Sequence, residues 1–501
     1  MILAAPGTPC RIRPERRRGH NLIALAVMAL MAGIWADGAD ADGPGNVHNT
    51  DFRGALAAAG QAAASTQAQA ILAPPPEPGA ESPGASARVL TLEEAHAIAL
   101  KNHPGIAAAD YRALAATEVF KQARSGLLPQ ANLYGSFVRA GSEDTRIMAG
   151  GLNNPSVFDR TAFGVGVSQL ITDFGRTTNL SASTKLQAHA EDQAAQTTRE
   201  QVLLGVDRSY FAVLQAQAVE NVAQQTVNTR QLLLDRVTIL AQNKLKSDLD
   251  VSFASVALQD ARLLLQRAQN DFDSSMASLS TILGFREQQH FTLQEDAPPP
   301  IVAEGNLAAL TDRALQDRPE LGTLRDQRDA AIRLAQSLRD SRLPTISAVV
   351  AAGDAPSHDA RLPDNYSAGG IQISVPLFAG GFYLARQHEA ELRAKAAGES
   401  LRTVEDEVTR DVRIAWLSLN NARERLRTSQ QLSRYAATAY QLADARYRAG
   451  SSSIVELSQA QLELTSAQIG ETVARYDVLV QQSALSYESG AMLQASAALP
   501  R

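Results

Sequence analysis

Apolar positions alternate along the chain in two places. In "TAFGVGVSQLI" (161–171), Phe163, Val165, Val167 and Ile171 fall on one side of an extended chain, with Gly164, Gly166 and Ser168 on the other. The pattern returns in "GGIQISVPLF" (369–378), where Ile371, Ile373, Val375 and Leu377 alternate with Gly370, Gln372, Ser374 and Pro376. Each segment has a weaker partner upstream, "QANLYGSFV" (130–138) and "TISAVVAA" (345–352), which predicts hairpins near 129–174 and 344–379. Apolar-out, small-or-polar-in alternation over about ten residues suits a strand of a transmembrane barrel. An ordinary hairpin packed on a helix gives the same pattern.

Helical spacing takes over after each hairpin. Residues 176–243 contain no proline and one glycine, Gly205. This predicts a helix of nearly seventy residues, about 100 Å long at 1.5 Å per residue. No globular core covers such a length, so the helix must lie beside others like it. Its apolar positions are diluted with Ala, Gln, Ser and Thr, which suits close helix approach and a polar second face. A turn follows, then a helix of roughly thirty-five residues. Taken alone, this stretch reads as a plain coiled coil.

The whole order occurs twice. Leu92, Ala99, Leu100, Pro104, Leu128 and Pro129 recur 215 residues later as Leu307, Ala314, Leu315, Pro319, Leu343 and Pro344. From Ser168 onward the offset is 206: Val206 pairs with Val412, Tyr210 with Trp416, and Gly284 with Gly490. One insertion of nine residues between Pro129 and Ser168 accounts for the change. So long a period is a duplicated domain and not a solenoid. The copies are expected at 89–294 and 307–490, each with a short helix (about 91–102 and 307–317), a second helix, a hairpin and the long helices (176–284 and 382–490). A linker (295–306) joins them, and a tail (491–501) ends the chain.

Composition changes the picture mainly at the start. A basic stretch with Arg11, Arg13, Arg16, Arg17 and Arg18, a short apolar run (22–35) and "ADA" (39–41) read as an export signal over 1–41. Residues 42–88 are mostly Ala, Gly and Pro and read as a disordered extension. Cys10 is the only cysteine and would leave with the signal, so packing or assembly has to supply stability. Without residues 1–41 the chain has 42 basic and 50 acidic residues and no basic tract, which argues against a nucleic-acid partner.

Four strands cannot close a barrel, and an open edge in lipid leaves backbone groups unsatisfied. A membrane reading therefore requires several chains to pool strands. The segments "LTLEEAHAIALKNHP" (90–104), "SGLLPQANLYGSF" (125–137), "SQLITDFGR" (168–176), "SVPLFAGGF" (374–382) and "YRAGSSSIVELSQAQLEL" (447–464) resemble the TolC-type outer-membrane efflux family. The resemblance covers 90–490. It implies a mixed α and β fold, with four transmembrane strands and very long helices per chain. It also implies a homotrimer whose twelve-stranded barrel sits in outer-membrane lipid and continues as a periplasmic α-helical barrel. An inner-membrane pump and a periplasmic adaptor (membrane fusion protein) would open this passive duct for small molecules or for proteins, as in type I secretion. Phe163, Val165, Val167, Ile371, Ile373, Val375 and Leu377 would face lipid.

The turns between the long helices are the candidate gate. Gly450 reads as a helix C-cap residue. Ser453 with Glu456 reads as a capping box, and Ser247 with Asp250 as a weaker one. The resemblance adds a second role: Glu456 and Gln459 match the family's acidic constriction, usually two carboxylates, and Tyr447 with Asp250 matches its closing hydrogen-bond network. Ser452 stands where the family has a basic member of that network. No P-loop, nucleophile elbow, HExxH or dinucleotide glycine pattern occurs, so no catalytic residue, metal site or cofactor is expected. His96 and His103 read as solvated or packed. The rival reading is a periplasmic coiled-coil adaptor or scaffold that never enters the membrane.

Overall fold

Both copies build the same set of helices from the same lengths of chain. The computed structural model describes residues 88–139, 145–146, 156–157, 160–295, 306–357 and 364–492. The first copy runs β1 (Arg88–Leu90), α1 (Leu92–Asn102), α2 (Pro104–Ser125), β2 (Gln130–Val138), β3 (Thr145–Arg146), β4 (Ser156–Val157), β5 (Arg160–Thr172), α3 (Arg176–Gln242), α4 (Asp248–Ile282) and β6 (Phe291–Leu293). The second runs α5 (Leu307–Asp317), α6 (Pro319–Asp340), β7 (Thr345–Ser357), β8 (Asn365–Ser374), α7 (Phe382–Arg448) and α8 (Ile454–Glu488). The export signal, the extension up to Ala87, the linker between Glu295 and Asn306, most of the first hairpin loop and the tail beyond Met492 lie outside the described residues.

The helix lengths explain one another. α3 and α7 each have 67 residues. α4 and α8 have 35, α2 and α6 have 22, and α1 and α5 have 11. α4 packs along the tip half of α3 while α1, α2 and, from the second copy, α6 cover the other half; α8, α5 and α6 lie along α7, so α6 sits between the two long helices. The covering helices meet end to end at Gly284 and Gly490, which have φ of +85° and +71°. A Cβ on Gly284 would lie 2.7 Å from the Asn102 carbonyl oxygen, so only glycine fits that junction. Pro104 and Pro319 open α2 and α6 at the first helical position, where no N–H is needed. His103 Nδ1 accepts from the Gly105 N–H at 3.1 Å, whereas its counterpart Arg318 is buried and binds Glu488 at 2.8 Å and Glu320 at 3.0 Å.

Apolar side chains gather in separate clusters along the bundle. One, including Leu90, Val206, Met276 and Leu279, is built mainly by the first copy and takes in Tyr476 of α8. A second, including Leu321, Val408, Val412 and Leu419 with Trp416 against it, lies in the second copy. A third closes the tips. Tyr210 does more than pack. It is buried, and its hydroxyl lies 2.9 Å from the Leu90 carbonyl and 2.6 Å from the Gln294 carbonyl, where it ties α3 to the ends of β1 and β6. Those two strands pair in parallel and were absent from the sequence reading, because three residues carry no period. His96 is neither simply solvated nor simply packed: its Nε2 lies 2.5 Å from the buried Asp207 carboxylate.

The four longer strands form one antiparallel sheet in the order β2-β5-β7-β8. Its register places Leu133 opposite Val165, Val167 opposite Val350, and Ile346 opposite Ile373, so most of the large apolar side chains share one face, while Leu170 and Val349 lie on the other. Phe163, Val165, Val167, Ile371 and Ile373 are exposed there, joined by Leu133 and Phe137 of β2. On the opposite face Tyr134, Gly164, Gly353 and Tyr366 form one cross-strand row. The Tyr366 ring lies over Gly353 and Gly164, and that of Tyr134 over Gly166.

The alternation at the end of β8 does not continue to Leu377. The strand stops at Ser374, and Val375 and Leu377 stand in the connection to α7, Leu377 being 92% exposed. Pro376 has no N–H to donate to a ladder, which ends the strand. Among the described residues no helix is long and apolar enough to cross a membrane.

Candidate gate at the helix tips

Both tips are built from the same backbone device. After α7, the Gly450 N–H donates to the Tyr447 carbonyl at 3.1 Å and the Ser451 N–H to the Arg446 carbonyl at 2.9 Å. After α3, the Lys244 N–H donates to the Ala241 carbonyl and the Leu245 N–H to the Leu240 carbonyl, each at 2.8 Å. Each pair of bonds satisfies carbonyls at the helix end and needs a left-handed residue between helix and turn. Gly450 fills that place at φ +75°, and Lys244 fills it at φ +61°.

Serines then start the return helices. Ser247 and Ser453 are both extended, and their side chains accept from the N–H of Asp250 and Glu456 respectively. The complete capping box is the one at Ser247: the Asp250 carboxylate returns to the Ser247 N–H at 3.1 Å and to its hydroxyl at 2.9 Å. At Ser453 only half the box forms, which reverses the expected order of strength. Glu456 is held instead by Arg446, Nη1 to Oε1 at 3.0 Å, across the turn. Arg446 escaped the sequence reading because the pair spans two helices, ten residues apart.

Beneath the turns, Leu233, Val237, Ala254, Ala443, Tyr447, Ile454 and Leu457 form a buried cluster that joins α3, α4, α7 and α8. Tyr447 belongs to this cluster. Its hydroxyl is buried and makes no hydrogen bond, and Lys246 Nζ sits 4.3 Å from its ring centroid. The Tyr447–Asp250 hydrogen bond implied by the family resemblance is thus not formed within the chain, because Asp250 is turned back onto Ser247. Burial pushes the Tyr447 hydroxyl pKa above its ordinary value, and the negative charge of Asp250 adds to the rise.

Glu456 and Gln459 are both exposed on α8, one turn apart, and the Gln459 amide donates to Glu463 at 2.8 Å. Glu463 therefore extends the acidic stripe by a further turn; its spacing from Glu456 was the available signal. Ser452 offers no cation, and its hydroxyl is buried without a partner. The cations at the tip include Lys244, Lys246, Arg236, Arg446 and Arg448, the last paired with Asp444. Among the described residues no group of three His, Cys, Asp or Glu is placed to hold a metal ion.

Two relatives and one solved structure are similar to this chain over most of its length. The outer membrane protein TolC of Salmonella enteritidis is 25% identical over 402 residues, 75% of this chain and 77% of that protein. The alkaline protease secretion protein AprF of Pseudomonas aeruginosa is 23% identical over 414 residues, 81% and 85% of the two chains. The outer-membrane channel OprN superposes with a TM-score of 0.70 at 18% identity, covering 80% of this chain and 90% of that one, so the fold is shared. The model of the family described as "Outer membrane efflux protein" matches residues 97–285 and 310–491, one segment in each copy. The chain belongs to the outer membrane efflux protein family.

Proposed function

We propose that three copies of this chain form an exit duct through the outer membrane. Their four-stranded sheets would pool into a twelve-stranded barrel, and their long helices would form a second barrel crossing the periplasm. The observation that carries this reading is the sheet. One face is apolar, with exposed large side chains on β2, β5 and β8 and half-buried Ile346 and Val350 on β7, and β2 and β8 each have a neighbour on one side only. In lipid such edges require partners, and identical chains supply them by pairing β2 of one with β8 of the next. The opposite face is mostly glycine, serine, Gln372 and tyrosine, with Leu170, Val349 and Ala351 among them, a lining more polar than the other face.

The duct itself is passive. Efflux and secretion both occur among the names of its relatives, so the cargo is small molecules, proteins or both, delivered by an inner-membrane pump through a periplasmic adaptor. Glu456, with Gln459 and Glu463 on the same exposed side of α8, would form the acidic entrance, and the two tip turns would form the moving part. Single-channel recording in planar bilayers tests the entrance. The wild type is expected to prefer cations, and Glu456→Ala to lower that preference. Equal selectivity of the two would remove Glu456 from the pore. The rival periplasmic scaffold predicts a soluble species on fractionation, and the duct predicts a heat-modifiable trimer extracted from outer membrane by detergent.

A further inference from the structure

About one turn past Ser453, the contact between α3 and α8 is polar where a helical bundle ordinarily buries apolar residues. Thr226 and Arg230 come from α3, and Ser458, Gln461 and Thr465 from α8, with the two threonine hydroxyls 3.4 Å apart. Steps of three and four residues put the α8 side chains on one face, with Gln461 between the other two. Arg230 is only 6% exposed. Its Nη2 donates to the Ser458 carbonyl at 3.3 Å, a long bond, while Nε and Nη1 have no hydrogen-bond partner. The Ser458 hydroxyl and the Gln461 amide oxygen are buried without partners as well. Burial lowers the pKa of the guanidinium, and Tyr440 and Asp260 act in the opposite direction.

The duplicated copy shows that the fold does not need this arrangement. The counterpart of Arg230, 206 residues on, is the buried Ala436. Ser252 and Ser255, the counterparts of Ser458 and Gln461, donate to the Asp248 and Val251 carbonyls at 3.0 and 2.8 Å. A buried donor or acceptor without a partner is costly, and a buried cation more so. The unpaired atoms at Arg230 are closed off within the single chain, so neither a ligand nor a neighbouring copy reaches them where the helices now stand. Relief requires α8 to shift against α3, which brings the Gln461 oxygen to the unused N–H groups or lets water in. The same end of α8 carries Glu456 and Gln459 of the proposed entrance.

We propose that Arg230 holds the tip in a strained resting arrangement and thereby sets how readily the entrance opens. This rests on the duct reading and adds to it a device that regulates the entrance. Full-length chains in lipid nanodiscs give the thermal midpoint. The same chains in planar bilayers give the fraction of time spent in the high-conductance state. Arg230→Met removes the cation and its unused donors while keeping the bulk of the side chain. It is expected to raise the midpoint and to lower the open fraction about ten-fold. Gln461→Glu keeps Arg230 and sets a carboxylate beside it, so it is expected to move both readings in the same directions. An Arg230→Met chain that melts below the wild type, or does not fold, would overturn the proposal, because Arg230 would then be stabilising the resting tip. Open fractions equal to the wild type in both variants would overturn it too. A wild-type chain that conducts no ions would remove the duct itself, and the proposal with it.

Discussion

Lys244 and Gly450 stand at equivalent points, 206 residues apart, and adopt the same left-handed conformation. For a residue with a Cβ that conformation costs roughly 1–2 kcal/mol, so the first tip carries strain that the second does not. Lys244→Gly should relieve about 1 kcal/mol after the extra chain entropy of glycine is deducted. Hydrogen exchange checks this: amides of the first tip should exchange about five-fold more slowly, and those of the second tip should be unaffected. Tyr447 gives a second prediction. Its folded-state pKa is raised, so the unfolded chain releases the phenol proton first, near pH 10, and the folded chain later. Its contribution to stability is present below pH 10 and lost as pH rises beyond it. Tyr447→Phe removes a buried hydroxyl that has no partner, so it should be near neutral at pH 7 and lessen the fall in thermal midpoint above pH 10. The serines of both tips were legible as caps, because a cap acts over three residues of sequence. The hold of Arg446 on Glu456 was not, because it is made across a turn.

At the scale of elements, helices could be read closely because they are long and carry few breakers. The matched lengths of 67 and 35 residues in both copies follow from a duplication visible residue by residue. Strands were harder. β5 and β8 show clean alternation, whereas β7 is so rich in alanine that its two faces barely differ, and β1 and β6 are too short to show a period. Nor could the sequence show what its sheet glycines are for. A Cβ on Gly353 would lie 2.2 Å from the Phe163 carbonyl oxygen and 2.6 Å from the Tyr366 ring, while one on Gly370 meets nothing within 4 Å. Gly353→Ala should therefore cost about 1–3 kcal/mol by overpacking and lower the temperature at which the assembled species dissociates. Gly370→Ala should leave it unchanged. Heating samples before electrophoresis distinguishes the two, and equal behaviour would mean that the tyrosine row does not constrain the sheet.

For the whole molecule, a single physical requirement joins the sheet to the duct. A sheet with one exposed apolar face and two one-sided outer strands is stable in lipid only when those strands find partners, and closure by identical chains encloses a pore. The helices enter the same logic. The two copies are joined within one chain, because α6 of the second copy packs along α3 of the first as well as along α7, and α8 also meets α3. The alternating segments and the duplication brought this within reach of the sequence. The proposed gate was less accessible, because the contacts at the tips are made between helices distant in sequence. Oxidative crosslinking in membranes tests the central claim most directly. In a Cys10→Ser background, which removes the native thiol, Ser136→Cys on β2 is combined in turn with Tyr366→Cys, Ala368→Cys, Gly370→Cys and Gln372→Cys on β8. Pairing of outer strands between copies predicts bands of two and three chains for a subset of these combinations. Uncrosslinked or internally bridged single chains for every combination would contradict it.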